Sequence, residues 1–486
     1  MTLLDYWVVG LYLAVTLILG VGIVRRSRDL DDYLLAGRSL PGWLLLGSIV
    51  ATETSTVTFL SIPGMSYAAG GDMRFLQLAA GFVVGRLLVA WLLLPLYFAG
   101  RLRSAYQALA ERLGSPAKHM AAVVFLITRN LADGLRLFLT GLMWTQIVGG
   151  SLETALLLIA GVTVVYTWAG GLRSVVWNDC VQLVVYVAGA LLAMAIIFEA
   201  LPGGFREVVA FASQQGKLRI WYTTWDVSMP YTAAAGLIGG AFLSLATHGA
   251  DQMMVQRYLS ARSRRDATLA VVASGIVVFA QFALFLFVGI GLAAYFDAFP
   301  PGSPIERPDA ALATFIATSL PAGIRGLLLA AALAAAMSTL SSSLAASVTT
   351  AIVDVAAPLG WIQPDTPGKL PLFWSRAAVV VFAAVQVAVA WLAPYFTQHV
   401  IDAVLAIANF STSVLLGLFL LAAGRRSFHP WAAVAGMTLA LAIMSLIAFF
   451  SPLAWTWYGI LGALLTASLT LIVDQAVTGH STLPSD

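Results

Sequence analysis

The chain has 486 residues, 60% of them hydrophobic and only 10% charged, with a formal net charge of +3. A water-soluble domain carries about 25% charged residues, so the composition excludes one and describes a polytopic membrane protein. A single cysteine, Cys180, excludes an intrachain disulfide.

Runs of about 20 apolar residues span a bilayer. They predict thirteen membrane helices, near 4–24, 42–66, 75–100, 118–148, 152–169, 174–201, 231–256, 266–297, 326–356, 373–394, 398–423, 430–450 and 454–475. A weaker amphipathic stretch, 308–320, reads as part of an outer loop. The N-terminus lacks the basic region of a signal peptide; its first positive charges, Arg25, Arg26 and Arg28, follow the first apolar run. With the N-terminus outside, 17 Lys and Arg fall at cytoplasmic loops and helix ends, six in outer loops and three within spans. This bias predicts a multi-pass cell-membrane protein with its N-terminus outside and its short C-terminal tail in the cytoplasm. Compact loops point to a bacterial inner membrane, and no soluble output domain is expected.

Setting aside the first helix and the last two leaves two groups of five. Residues 1–41 hold the extra first helix and a cytoplasmic loop, 42–201 the first group, 202–230 an outer loop, 231–424 the second group, and 425–486 the last two helices and tail. Because five is odd, the second group runs opposite to the first, which is the arithmetic of an inverted repeat. The leading helix of each group is expected to be broken at the midplane. The polar run Thr52-Glu53-Thr54-Ser55-Thr56 before Pro63 marks the first break, and Gly239-Gly240 with Thr247-His248-Gly249 the second. Ordinary glycine packing and kinks would read the same way.

Glu53 and Asp179 are carboxylates inside apolar, membrane-length segments. Burying such a group costs at least ~2.5–3.5 kcal/mol on insertion scales, and it usually marks an ion or substrate pathway. In the helix near 326–356, Ala335, Ser338, Thr339 and Ser342 recur at i, i+3, i+4 and i+7, so they share one face, with Ser341 on its flank. Hydroxyls there serve either as oxygen ligands for a small cation or as interhelical contacts. In the helix near 118–148, Asp133 lies within one turn of both Arg129 and Arg136. One aspartate cannot saturate two guanidiniums, which leaves one for an anionic ligand, unless the three form a purely structural cluster.

Several segments resemble the sodium/solute symporter family, in particular its proline, sialate and monocarboxylate branches. They are ATETSTVTFLSIPG (51–64), GGLRSVVWNDCVQ (170–182), ATHGADQMMVQRYLSAR (246–262) and AAAMSTLSSSL (334–344). The resemblance implies an all-α, LeuT-type five-plus-five inverted-repeat fold. It implies a sodium site built from the carbonyls of Ala51, Thr54 and Ala335 and the hydroxyls of Ser338 and Thr339. It implies a second sodium at Asp179, Ser338, Ser341 and Ser342. Glu53 departs from the sugar branch, and Val57 and Thr58 replace that branch's paired Glu-Gln, which weakens a neutral-sugar reading. Glu53, Ser55, Thr58, Arg129, Arg136, Ser244, Thr247 and His248 are the candidate solute contacts, with Asp402 at an outer gate or as a helix cap. Asp251, Gln256 and Arg257 read as structural.

The expected function is sodium-coupled import of a small polar organic solute, zwitterionic or acidic, by alternating access. Sodium is the coupling ion, the bilayer the only other partner, and no cofactor or nucleic acid is involved; the oligomeric state is not read. The rival is a proton-coupled transporter of the same fold using Glu53 or Asp179. A membrane enzyme is disfavoured because the five histidines show no ligand spacing, and a sensor because no output domain is expected.

Overall fold

A computed structural model describes residues 1–23, 29–363, 369–424 and 426–479, with side chains at 23, 369, 400–403 and 479 left aside. In chain order the helices are α1 (Leu3–Ile18), α2 (Leu30–Leu35), α3 (Gly42–Glu53), α4 (Thr56–Tyr67), α5 (Phe75–Leu88) and α6 (Leu94–Tyr97). The long helices α7 (Gln107–Val148) and α8 (Leu152–Ala200) follow, then α9 (Gly204–Gln214), α10 (Gly240–Gly249), α11 (Gln252–Leu259), α12 (Arg264–Ala298) and α13 (Ala311–Thr318). The chain closes with α14 (Ile324–Thr350), α15 (Lys369–Leu392), α16 (Gln398–Ala423), α17 (Pro430–Phe450) and α18 (Tyr458–Gly479). Among the described residues there is no strand, only one isolated bridge between Leu40 and Ala261. The described residues form an all-α membrane chain.

By length and apolarity, nine described helices can cross a bilayer, or ten if the bent pair α3–α4 is one span. That figure takes the 49-residue α8 as a single span, and the expected count of thirteen is not confirmed by it. The expected runs 152–169 and 174–201 both fall in α8, which is two helices joined at a non-helical kink at Gly171 (φ +57°). A side chain at Gly171 would strike the Tyr33 carbonyl, and the left-handed φ also requires glycine. Helix α7 carries Arg129, Asp133 and Arg136, and the segment 235–259 is cut at Ala250–Asp251. The 308–320 stretch forms a short turn, Pro308–Ala310, and α13. Helices α2 and α9 had no counterpart in the sequence reading.

Helix α14 lies at the centre. Every residue from Leu328 to Thr350 is buried, and α14 packs chiefly on α8 and also against α7, α1 and α3. Its alanines and serines allow this close approach. Lipid-facing apolar side chains belong instead to helices such as α1, α15 and α17, only 28% buried over their apolar windows. On the face carrying residues 68–74 and 215–231, the Lys217 ammonium donates to the carbonyls of Ser66 and Ala68 at 2.8 Å, tying down the end of α4. Beside it, Asp72 accepts from Arg74 at 2.7 Å and from the Tyr222 hydroxyl. Burial works to raise the Asp72 carboxyl, but these bonds outweigh it and hold it below its ordinary value.

Candidate functional site

The chain breaks after Glu53 because its hydroxylated residues offer the backbone other partners. Thr54 leaves the helical region (φ −92°, ψ 100°) and Ser55 caps α4 by accepting from the Thr58 amide at 3.3 Å. The bend between α3 and α4 is 66°. At the end of α3 the Ala51 carbonyl accepts from the Thr54 amide at 3.2 Å, and the carbonyls of Ala51, Thr52 and Thr54 approach the hydroxyls of α14. Ser338 Oγ donates to the Ala51 carbonyl at 2.9 Å and approaches that of Ala335 at 3.2 Å. Thr339 Oγ1 lies 3.2 Å from the Thr52 carbonyl, 3.4 Å from Ala335's and 3.5 Å from Thr54's. All five residues expected at the shared sodium site come together and are buried, with the Thr52 carbonyl as an unforeseen sixth oxygen. Carbonyls at a helix C-terminus also carry its negative partial charge.

Asp179 lies one layer deeper. Its Oδ2 accepts from Ser48 at 2.5 Å and lies 3.3 Å from Thr52 Oγ1 and 3.5 Å from Ser342 Oγ. The same oxygen pairs with Arg257 Nη2 at 3.0 Å, both side chains fully buried. Arg257 also donates to Ser48, Thr52 and Ser342. Ser341 faces the Ser338 carbonyl at 3.2 Å. The sequence reading placed Arg257 outside the site. The break at Ala250–Asp251, where Asp251 caps α11 by accepting from Met253 N at 2.8 Å, is what brings it in. Two buried acids with no cation assigned to them were the available signal.

A cavity of about 300 Å³ opens beside the break and extends toward Phe75 and Trp455 on the face of the 68–74 loop. Its walls include Glu53, Ser55, Thr58, Arg129 and Arg136, with Ser244, Thr247 and His248 opposite. Glu53 is not free: Arg86, fully buried and also bonded to Ser274 at 2.9 Å, donates to it. His248 Nε2 lies 3.6 Å from the same carboxylate and its Nδ1 3.2 Å from the Tyr258 hydroxyl. Arg86 was missed because it sits in an ordinary apolar helix. Arg129 contacts two acids, Asp133 at 2.8 Å and Asp251 at 3.2 Å, and is 13% exposed. Among the described residues Asp133 is the one acid that Arg136 contacts, and Arg136 is 30% exposed. Ser244 and Thr247 donate to the carbonyls of Phe82 and Leu243 at 3.1 and 3.0 Å, which leaves their lone pairs for a ligand. The wall holds two acids (Glu53, Asp251) against two arginines (Arg129, Arg136), and Arg86 and Asp133, which pair with them, add one charge of each sign, so the charge is balanced. The Asp402 side chain lies outside the described residues.

The sequence profile of the sodium:solute symporter family matches residues 33–470. The chain is 27% identical to the sodium/sialic acid symporter SiaT of Proteus mirabilis over 488 residues, covering 99% of this chain and 96% of that one. It is 26% identical to the human sodium/iodide cotransporter over 459 residues, covering 92% and 70%. Among solved structures, a substrate-bound, outward-open sodium-coupled sialic acid symporter superposes with a TM-score of 0.88 at 25% identity, covering 98% of each chain. The nucleobase-cation-symport-1 family transporter Mhp1 superposes at 0.59 with 14% identity, over 96% and 98%, a likeness of fold alone.

Proposed function

This chain belongs to the sodium:solute symporter family, and we propose that it carries a small carboxylate-bearing solute in the cavity beside the α3–α4 break, driven by sodium held at that break. It is a sodium-coupled symporter, not an enzyme, and the proton-coupled alternative is not favoured. The observation that carries the sodium assignment is the convergence of the Ala51, Thr54 and Ala335 carbonyls with Ser338 and Thr339. Saturable, sodium-specific thermal stabilisation in detergent, absent in KCl at equal ionic strength and lost in Ser338→Ala, tests it. An unchanged response in Ser338→Ala sinks the assignment.

Arg136 is the proposed anchor for the solute carboxylate. It shares its only acid with Arg129, keeps unsaturated donors and faces the cavity. Arg129, held by two acids, positions it. Relatives described as sialic acid and monocarboxylate symporters support an acidic cargo. Glu53 is less suited to a substrate amine, since Arg86 already balances it; with His248 it is proposed to accept a solute hydroxyl. A second sodium is proposed at Asp179 Oδ1, which has no hydrogen-bond partner among the described residues, with Ser338, Ser341 and Ser342 as co-ligands.

The cavity reaches the face of the 68–74 loop, which the charge bias makes the outer one, with the termini oriented as the sequence predicts. Toward α11 it ends on Met253 and Met254, and in the same helix Gln256 donates to the Leu34 carbonyl and to Thr349, both at 2.7 Å. We read 42–201 and 231–424 as the inverted repeats that rock about this site. Inward movement of sodium supplies the work: each net charge crossing gains about 2.3 kcal/mol per 100 mV, roughly 50-fold in accumulation.

A further inference from the structure

Helix α4 is a partition with a cavity on each side. Ser55, Thr58 and Ile62, spaced i, i+3 and i+7, face the 300 Å³ solute cavity. Thr56, Val57, Leu60 and Ser61 face a separate cavity of about 560 Å³, closed on its far side by α7 and by residues 303–314. A third void of about 20 Å³ follows on from it, lined by Thr56, Thr140, Ser55 and Thr339 and by the Asp133–Arg136 ion pair. Thr56 belongs to both of the last two, and its hydroxyl accepts from Thr140 at 3.2 Å, so one threonine contact separates them. The far end of the small void is Thr339, which approaches the carbonyls at the α3–α4 break.

We propose that sodium travels between the outer face and its site by this hydroxyl-lined corridor behind α4, which has its own outer mouth and, among the described residues, meets the solute cavity only at Ser55, Arg136 and Thr339. The proposal rests on the sodium reading above. Ser61, Thr56, Thr140, Ser55 and Thr339 offer oxygens in succession, which a cation needs as it sheds water. At the mouth, Glu306 adds a negative charge to the neutral Arg307–Asp309 pair, whose members are 71% and 37% exposed. Inside, Arg136 is neutralised by Asp133. The small void holds about one water, so it admits an ion and rejects any organic solute. A solute filling the central cavity covers the Thr339 side of the site from that direction, while the corridor stays open. Sodium then exchanges with or without solute present.

The two faces of α4 allow a symmetric test on the full-length protein in detergent. Ser61→Cys and Ile62→Cys each receive a bulky maleimide, with labelled wild type as the control for Cys180. Binding and dissociation of 22Na+ are measured before and after labelling, the unlabelled variants reporting that the fold and site are intact. Labelled Ser61→Cys is expected to slow association and dissociation tenfold or more while Kd stays within twofold. Labelled Ile62→Cys is expected to leave both rates within twofold. Unslowed exchange in labelled Ser61→Cys, or equal slowing in labelled Ile62→Cys, overturns the corridor. Absence of saturable 22Na+ binding to unlabelled wild type is a different result and removes the sodium site along with it.

Discussion

Asp179→Asn is the substitution from which the structure allows the most to be worked out. Asp179 and Arg257 are each 0% exposed and 3.0 Å apart. Removing one partner of a buried pair typically costs 3–5 kcal/mol, because the other charge is stranded. Here Arg257 keeps hydrogen bonds to Ser48, Thr52, Ser342 and the Met253 carbonyl. These solvate the orphaned guanidinium, so the expected loss lies near the lower end, about 3 kcal/mol. Arg257→Met in the Asp179→Asn background removes the stranded charge and is expected to restore part of that loss, giving a coupled double-mutant cycle. Equilibrium unfolding by SDS in mixed micelles, in potassium and without sodium, measures the four proteins free of any ion effect. A loss under about 0.5 kcal/mol for Asp179→Asn, or a double variant showing the plain sum of both singles, would refute the reasoning.

Ser338→Ala is expected to lower sodium affinity tenfold or more while costing only about 1 kcal/mol of sodium-free stability, the worth of a hydrogen bond; thermal shift against NaCl reads the first and SDS unfolding the second. Arg136→Gln should weaken binding of a carboxylate probe such as N-acetylneuraminate while leaving folding intact. Arg129→Gln should instead destabilise the protein, since it leaves Asp251 without its arginine while Asp133 keeps Arg136; equal behaviour of the two variants contradicts the assignment. Carboxylate transport with one sodium carries no net charge, whereas two sodiums carry one, so a solute-induced current on a supported membrane that disappears in Ser341→Ala would indicate the second ion. The Asp72 carboxyl is held below its ordinary value of 3.8, so its contribution is present above that pH and lost as pH falls through the depressed value. Fluorescence of the neighbouring loop tryptophans Trp221 and Trp225 should follow that loss, and Asp72→Asn should abolish the transition.

The parts of the site legible in the sequence were those set by local spacing. The i, i+3, i+4 recurrence of Ala335, Ser338 and Thr339 puts them on one face whatever surrounds α14, and the run Thr52 to Thr56 carries the competition that ends α3. The second break was read in part: Thr247-His248-Gly249 closes α10 beside Ala250–Asp251, where the chain leaves the helix, whereas the glycines at 239 and 240 lie at a wide helical turn, Ala235–Gly239. Partner choice was not legible. Arg86 reaches Glu53 across 33 residues and Arg257 reaches Asp179 across 78, and no local pattern says which acid a buried arginine meets. The two-sided character of α4 was equally hidden, because the 560 Å³ cavity depends on where residues 303–314 fold back.

The complete burial of α14 between Leu328 and Thr350 insulates the ion chemistry from the lipid. Bilayers of different thickness act on a protein through the helices that touch acyl chains, by tilting them or straining their ends. None of that force reaches Ser338 or Thr339 except through α7, α8 and their neighbours. A change of host membrane is therefore felt in how fast the outer helices rock, and hardly in how tightly sodium is held. The affinity for the ion travels with the protein, while its speed belongs to the membrane around it.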